Sequence, residues 1–380
     1  MRPVSWRLLM AGRRQCIYRF SFEQEIVKVG TTSSKLNRVG VGVIGVGIGH
    51  AHLSGYAQCP EVDIVAVCDV NDVRARRVAT EFNVPNVYTD YEEMLRRDDI
   101  DAVSVCTPNY LHAPQTIAAL EAGKHVICEK PLAMTPEEGE AMVAAAKKTG
   151  KLLMTAFNNR FRGDTQLLKK YIENGDLGEI YYAKTGWIRR KGIPGMGGWF
   201  TTKSMSGGGP LIDLGVHMLD LALWLMGNPK AVTVTGSTYA KFGPHGLGTG
   251  QFGHGNKTGT YDVEDHSSAF IRLDSGATVI LEASWASHIE SEKIYTSLCG
   301  TKGGADLDPL RIYTDIYGEP VDIRPSYPNV SGHIMEIKHF VDCLVNGAEL
   351  ISTGEHGLEV VRILDAIYKS AEQGREIVLR

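Results

Sequence analysis

A short apolar run, Val41-Gly42-Val43-Ile44, gives way to glycine at alternate positions, Gly45, Gly47 and Gly49, with Val46 and Ile48 between them. Behind the glycines, residues 51–58 can continue as a helix. A turn without side chains between a buried strand and a helix lets backbone N–H groups approach a pyrophosphate, and the helix N-terminus adds favourable partial charge. The usual dinucleotide pattern asks for a third glycine or alanine at the place that Gly49-His50 occupies, so the spacing here is one residue tight. A plain strand–turn–helix has the same outline, and the next strand decides between the two. Residues 62–67 are mostly apolar, and Asp69 follows some twenty residues past the glycines, about where an acid is needed for the adenosine ribose. Its competing use is as a helix cap for the segment after Asn71. A carboxylate there repels a 2′-phosphate and favours NAD. Arg74, Arg76 and Arg77 lie just beyond and leave NADP open.

With 380 residues the chain is long enough for two separate cores. Residues 1–37 read as a disordered or non-native extension, 38–156 as a dinucleotide-binding unit and 157–380 as a substrate-binding and oligomerisation unit. The extension carries Arg2, Arg7, Arg13, Arg14 and Arg19 before its first acid, Glu23. That resembles a transit peptide in composition, but the apolar segment is too short for a secretory signal. A net charge of −4 and the absence of a basic stripe interleaved with aromatics argue against nucleic acid. No apolar run approaches the roughly 18 residues of a membrane span. Seven cysteines, an odd number with no C-x-x-C pair, indicate neither a disulfide framework nor a structural zinc. A reducing cytoplasm fits them, and no metal is expected.

From residue 38 onward short apolar runs (39–44, 62–68, 87–88, 102–106, 125–128, 152–155) alternate with helical stretches (51–58, 73–82, 91–97, 113–122, 136–148). Thr135, Pro136 and Glu138 form a capping box for the last of these. Such alternation builds a doubly wound parallel sheet, whose ligands bind beyond the strands' carboxyl ends. Gly45, Asp69, Thr107-Pro108-Asn109 and Glu129-Lys130-Pro131 all fall on that edge. After Asn158 the pattern changes. Helices at 163–174 and 210–226 surround strands at 180–188, 232–239, 262–273, 278–287 and 293–299, and two further strands run to about residue 323. This reads as a largely antiparallel open sheet with helices on one face, leaving the other free for an oligomer contact. Helices at 334–346 and 358–373 and an edge strand at 376–379 close the chain. The glycine-dense stretch 243–259, with His245 and His254, reads as a surface loop ahead of a lid.

Three side chains carry most of the chemistry. Lys130 follows a buried strand and precedes Pro131, a setting that admits a cis bond. A lysine beside a nicotinamide can hold a substrate hydroxyl and stabilise a developing alkoxide. The alternative is a salt bridge to Glu129. Asp213 and His217 are spaced i,i+4 behind Gly207-Gly208-Gly209-Pro210, with Asp220 near the same face. A neutral imidazole can accept a proton as hydride leaves the carbon, with Asp213 orienting the substrate or raising the histidine's basicity. A core histidine is the competing reading.

The glycine turn, Asp69, Cys106-Thr107-Pro108-Asn109 with His112, Glu129-Lys130-Pro131, Asn158-Asn159-Arg160-Phe161 and the run Gly207 to His217 together resemble the glucose–fructose oxidoreductase/inositol dehydrogenase/rhizopine catabolism (Gfo/Idh/MocA) family. The resemblance runs from about Arg38 to the C-terminus. It implies a Rossmann domain followed by an α+β domain whose open sheet makes dimers or tetramers. It also implies a catalytic set on Lys130, Asp213 and His217. Thr107, Pro108, Asn109 and His112 would line the cofactor, with Glu129, Asn158 and Trp199 around the nicotinamide. Arg160 and Tyr261 would line the substrate. The expected activity is hydride transfer between NAD(P) and a secondary hydroxyl of a cyclic polyol or sugar. An NAD-dependent glycoside hydrolase and a non-catalytic NAD-binding sugar regulator remain as alternatives.

Overall fold

The computed structural model describes residues 38–250 and 258–379. The expectations for residues 1–37, and for His254 within the glycine-dense stretch, lie outside the described residues. Six parallel strands form the N-terminal sheet in the order β3-β2-β1-β4-β5-β6. They are β1 (Val39–Ile44), β2 (Val62–Cys68), β3 (Asn86–Tyr88), β4 (Ala102–Val105), β5 (His125–Glu129) and β6 (Leu153–Ala156). Five helices connect them: α1 (Gly49–Tyr56), α2 (Asp72–Phe82), α3 (Tyr91–Leu95), α4 (His112–Glu121) and α5 (Pro136–Thr149). The central strands β1 and β4, Val-rich and mostly apolar, are buried along their whole length, as parallel strands covered on both faces are. The strand order reverses between β1 and β4, which opens a crevice at their carboxyl ends.

The tight glycine spacing has a local cause. Gly45 stands at φ +86°, and a Cβ there would lie 2.5 Å from the Cys106 carbonyl oxygen. Helix α1 begins at Gly49 itself, where a Cβ would press to 2.8 Å on Val43. The close helix–strand contact usually left to a glycine further on is therefore made one residue early. The α5 cap differs slightly from the expected box. Thr135 accepts the Glu138 N–H, but the Glu138 carboxylate takes the Met134 N–H rather than that of the cap residue.

The C-terminal sheet has nine strands in the order β14-β13-β12-β11-β7-β10-β9-β8-β15. Helix α6 (Gly163–Glu173) leads to β7 (Ile180–Ile188), followed by the short α7 (Lys203–Ser206) and α8 (Val216–Leu225). Then come β8 (Ala231–Tyr239), β9 (His266–Leu273), β10 (Thr278–Ser284), β11 (Lys293–Gly300), β12 (Gly303–Leu307), β13 (Arg311–Ile316) and β14 (Glu319–Ile323). Helices α9 (Gly332–Asn346) and α10 (Gly354–Gln373) and the edge strand β15 (Ile377–Val378) end the chain. The sheet is mainly antiparallel, as expected, with one parallel pair, β7 and β10. Two expectations need correction. Strand β9 starts only at His266, since Glu264 and Asp265 turn their carboxylates onto backbone N–H groups of neighbouring loops. The stretch after Gly300 makes three strands rather than two.

The expected helix at 210–226 is also interrupted. Leu211–Gly215 forms a π-helical turn before α8 begins at Val216. A π turn widens the coil and changes where its side chains project, a device found often at functional sites. Helices α8 and α10 lie on one face of the nine-stranded sheet, burying Leu221, Leu225, Ile363 and Ile367 against Ile271, Val279 and Leu281. No helix among the described residues is long and apolar enough to cross a membrane.

Candidate active site

A cavity of about 680 Å³ lies at the carboxyl edge of the parallel sheet. Its wall takes Gly45, Gly47 and Ile48 from the glycine turn, Asp69 and Arg74 from the second strand–helix unit, and Thr107, Pro108 and Asn109 from beyond β4. Glu129, Lys130, Asn158, Trp199, Asp213 and His217 complete the part foreseen from sequence. Space above Gly47 is open, with no atom within 4 Å of where a Cβ would stand. Asp69 is 5% exposed. Its carboxylate accepts the Val46 and Asn71 N–H groups and an Arg74 guanidinium N–H at 2.7 Å. Burial opposes its charge, yet these partners hold it below the usual carboxylate range. The helix cap of α2 is Asn71, not Asp69. Asp69 thus belongs to the cavity, with Arg74 alone of the three flanking arginines on its wall.

Lys130 stands at the tip of β5, before a cis bond to Pro131. Its ammonium reaches across to the π turn, 3.1 Å from both the Asp213 carbonyl and the Asp213 Oδ1. Trp285 donates its indole N–H to the other Asp213 oxygen at 2.9 Å. Burial disfavours the Asp213 charge, but Lys130 and the indole outweigh it and hold the carboxyl below its ordinary value. The alternative reading, a Lys130 salt bridge to Glu129, is not what forms: the ammonium pairs with Asp213. Glu129 instead accepts from His52 at 3.2 Å and from the Lys130 backbone N–H. Despite burial, the His52 bond and the nearby Lys130 charge bring Glu129 down to about 2.

Burial, followed by the Lys130 charge, pushes the His217 imidazole down to about 3. The ring is therefore neutral at any working pH, and its buried Nδ1 has no hydrogen-bond partner among the described residues. A core histidine satisfied by the protein, the competing reading, would not leave that nitrogen open. The Asn158 Oδ1 is likewise buried and unpartnered.

Several foreseen residues stand elsewhere. Arg160 is 1% exposed and does not line the cavity. Its guanidinium is held by the fully buried Asp220 at 2.6 and 3.0 Å and by the Ile351 carbonyl. Tyr261 lies outside the wall and donates its hydroxyl to the Glu264 carbonyl. His112 is buried behind the wall, its ring nitrogens on the Thr107 and Pro131 carbonyls, so it ties two site loops together. Val46 contributes its backbone N–H to Asp69, and Gly49 its close packing. Sequence reasoning missed Trp187, Phe200, Trp285 and His333. The first two and His333 line the cavity, and Phe200 stacks on Trp199 with ring centroids 3.7 Å apart. Their only signal was aromatic or imidazole character in segments without a motif.

A parallel sheet with a glycine turn, a buried acid at the end of its second strand and Lys, Asp and His side chains on one cavity wall has the outline of a nicotinamide-dependent oxidoreductase. The family model described as "Oxidoreductase family, NAD-binding Rossmann fold" matches residues 39–157, and the GFO/IDH/MocA C-terminal domain model matches 165–306. The D-glucoside 3-dehydrogenase of Escherichia coli (strain K12) is 39% identical over 357 residues, covering 93% of this chain and all of that protein. The levoglucosan dehydrogenase of Pseudarthrobacter phenanthrenivorans is 33% identical, covering 88% of this chain and 97% of that one. A solved levoglucosan dehydrogenase in complex with NADH and levoglucosan superposes with a TM-score of 0.80 at 28% identity, covering 90% of this chain and 99% of that one. The chain belongs to the Gfo/Idh/MocA family and is an NAD(P)-dependent oxidoreductase. Relatives named as dehydrogenases favour this over the glycoside hydrolase and regulator readings.

Proposed function

We propose that this protein oxidises a ring secondary hydroxyl of a pyranose or pyranoside, with Lys130, Asp213 and His217 as the catalytic set. The observation carrying the proposal is that Lys130, held on Asp213, lines one cavity with a neutral imidazole, that of His217, whose buried Nδ1 has no partner among the described residues. Lys130 hydrogen-bonds the substrate oxygen and stabilises the charge that develops as its proton leaves. His217 accepts that proton. Asp213 fixes the ammonium and keeps it from turning back onto Glu129.

The residues present fit a dinucleotide. Gly47 leaves open space at the turn, Asp69 on the cavity wall would accept from a ribose diol, and the buried Asn158 oxygen lacks a donor among the described residues. When bound, NAD supplies the hydride acceptor. Trp199 and Phe200 border the space and limit water near it, and Trp187 offers a flat apolar face to a sugar ring. The relatives named for glucosides and levoglucosan support a pyranoside ahead of an inositol.

Self-association of the open sheet face, as a homodimer or homotetramer, is part of the proposal. Lys184 over Tyr295 and Arg272 over Phe270 give that face a mixed aromatic and charged surface suited to a second copy. A cytoplasmic setting is supported by the six cysteines among the described residues, all free. The functional test is NADH formation at 340 nm with NAD⁺ and a panel of methyl glucosides, levoglucosan, free hexoses and inositols. Turnover is expected on the pyranosides, and turnover confined to inositols, or none at all, overturns the substrate assignment.

A further inference from the structure

His333, at the start of α9, lines the main cavity and also a second recess formed with Gly47, Ile48, His50, Ala51 and Ser54. It is thus a partition between that recess and the cavity. Its Nδ1 lies 3.3 Å from the Glu336 Oε1, and its Nε2 lies 3.4 Å from the Asn158 Nδ2. An amide nitrogen only donates, so Nε2 must accept, and the ring proton sits on Nδ1 facing the carboxylate. This arrangement leaves the Asn158 Oδ1 among the buried acceptors without a partner in the described residues, together with the Glu336 Oε2 and the His217 Nδ1 near it. A buried acceptor is costly to leave unmade, so the site is built for a donor that the protein does not supply.

We propose that His333, seated on Glu336, positions the Asn158 amide so that its oxygen receives the nicotinamide end of NAD, and that this contact makes oxidised-cofactor binding pH-sensitive. The proposal rests on the dinucleotide reading of the cavity. The groups facing His333 are Glu336 on its own helix, Glu129 and Lys130 at the tip of β5, His217 on α8 and His50 across the second recess. The Glu336 hydrogen bond raises the His333 pKa against the effect of burial. Once protonated, Nε2 becomes a donor. The Asn158 amide must then turn its oxygen toward the ring and present N–H groups to the cavity beside an imidazolium. A cationic nicotinamide ring is opposed by that arrangement, whereas the neutral reduced ring is not. Lowering the pH therefore weakens NAD⁺ more than NADH.

The test uses the purified full chain, with NADH binding followed by fluorescence and NAD⁺ binding by calorimetry across pH. In the wild type, Kd for NAD⁺ is expected to rise about tenfold between about pH 8.5 and 5.5, and that for NADH less than about threefold. His333→Leu removes the acceptor and is expected to raise the NAD⁺ Kd about tenfold at the upper pH, with no pH slope. His333→Gln keeps an acceptor oxygen for Asn158 without the titration. It should restore near-wild-type affinity at the upper pH while staying flat, with the sugar KM unchanged. If His333→Leu keeps the wild-type Kd and slope, or folded His333→Gln fails to restore affinity, the positioning role is refuted. If the wild type binds neither cofactor form, the dinucleotide reading itself falls and takes this proposal with it.

Discussion

The Lys130 Nζ lies 3.1 Å from the Asp213 Oδ1, joining the tip of one sheet's strand to a π turn that packs against the other sheet. The Trp285 indole pins the second Asp213 oxygen, so the acceptor cannot rotate away from the ammonium. Lys130→Met and His217→Ala should each lower kcat by about two to four powers of ten, the usual cost of losing an acid–base or alkoxide-stabilising group. The NADH Kd should stay within about threefold, because Asp69, Thr107 and the glycine turn are untouched. Stopped-flow turnover and fluorescence titration on the same preparations check both halves.

The parallel sheet and its ligand edge were legible because each strand end carries a chemically distinctive residue. Gly45, Asp69, Thr107 and Lys130 all sit within a residue or two of a buried apolar run. The site residues from the C-terminal half were legible only where a motif marked them. Asp213 and His217 follow a glycine triplet, while His333 opens a helix with no local signature and Trp285 ends an ordinary-looking strand. Arg160 was misplaced for a physical reason. An arginine in a polar motif looks solvent- or ligand-facing, and nothing local reveals that Asp220, sixty residues on, will bury it.

Acid should destabilise the fold through several lowered groups, two of them in the cavity wall. His217 ionises at about 3 in the folded state against 6.5 as the ordinary value, so the unfolded chain takes up its proton between those limits. Stability is complete above about pH 6.5 and is lost as the pH falls toward 3. Glu129, held at about 2 against 4.5, adds a further loss below about pH 4.5. Melting temperature should therefore decline steadily from neutral to acid. In His217→Gln the upper part of that decline, between about pH 6.5 and 4.5, should become shallower without vanishing, because burial also brings His125 and His356 down to about 4, while the Glu129 part remains.

Arg160 should behave as a structural residue. Its guanidinium and the Asp220 carboxylate are both essentially inaccessible to solvent, so removing one leaves the other buried and unpaired. Arg160→Met is expected to destabilise the protein by about 3–5 kcal/mol in denaturant titration. The fraction that remains folded at low temperature should keep its sugar KM, because the side chain does not reach the cavity wall. A sugar KM raised tenfold with an unchanged unfolding midpoint would instead return Arg160 to the substrate.

The three glycines of the turn should separate by what a methyl group would meet. Gly45 combines positive φ with a Cβ position 2.5 Å from a carbonyl oxygen, so Gly45→Ala strains the backbone and distorts the β1–α1 junction. It should lower the melting temperature and abolish cofactor binding together. Gly49→Ala pushes on Val43 Cγ1, the end of a short branched side chain in a packed core, and should cost about 1–3 kcal/mol of stability. Gly47 has no protein atom near its Cβ position and a φ outside the left-handed region. Gly47→Ala should therefore leave the melting temperature where it was, yet raise the NADH Kd about tenfold or more, if the pyrophosphate occupies the open space above Gly47 as proposed. Thermal melts paired with NADH titrations of the three variants read this pattern directly, and a Gly47→Ala protein with unaltered affinity would place the pyrophosphate elsewhere.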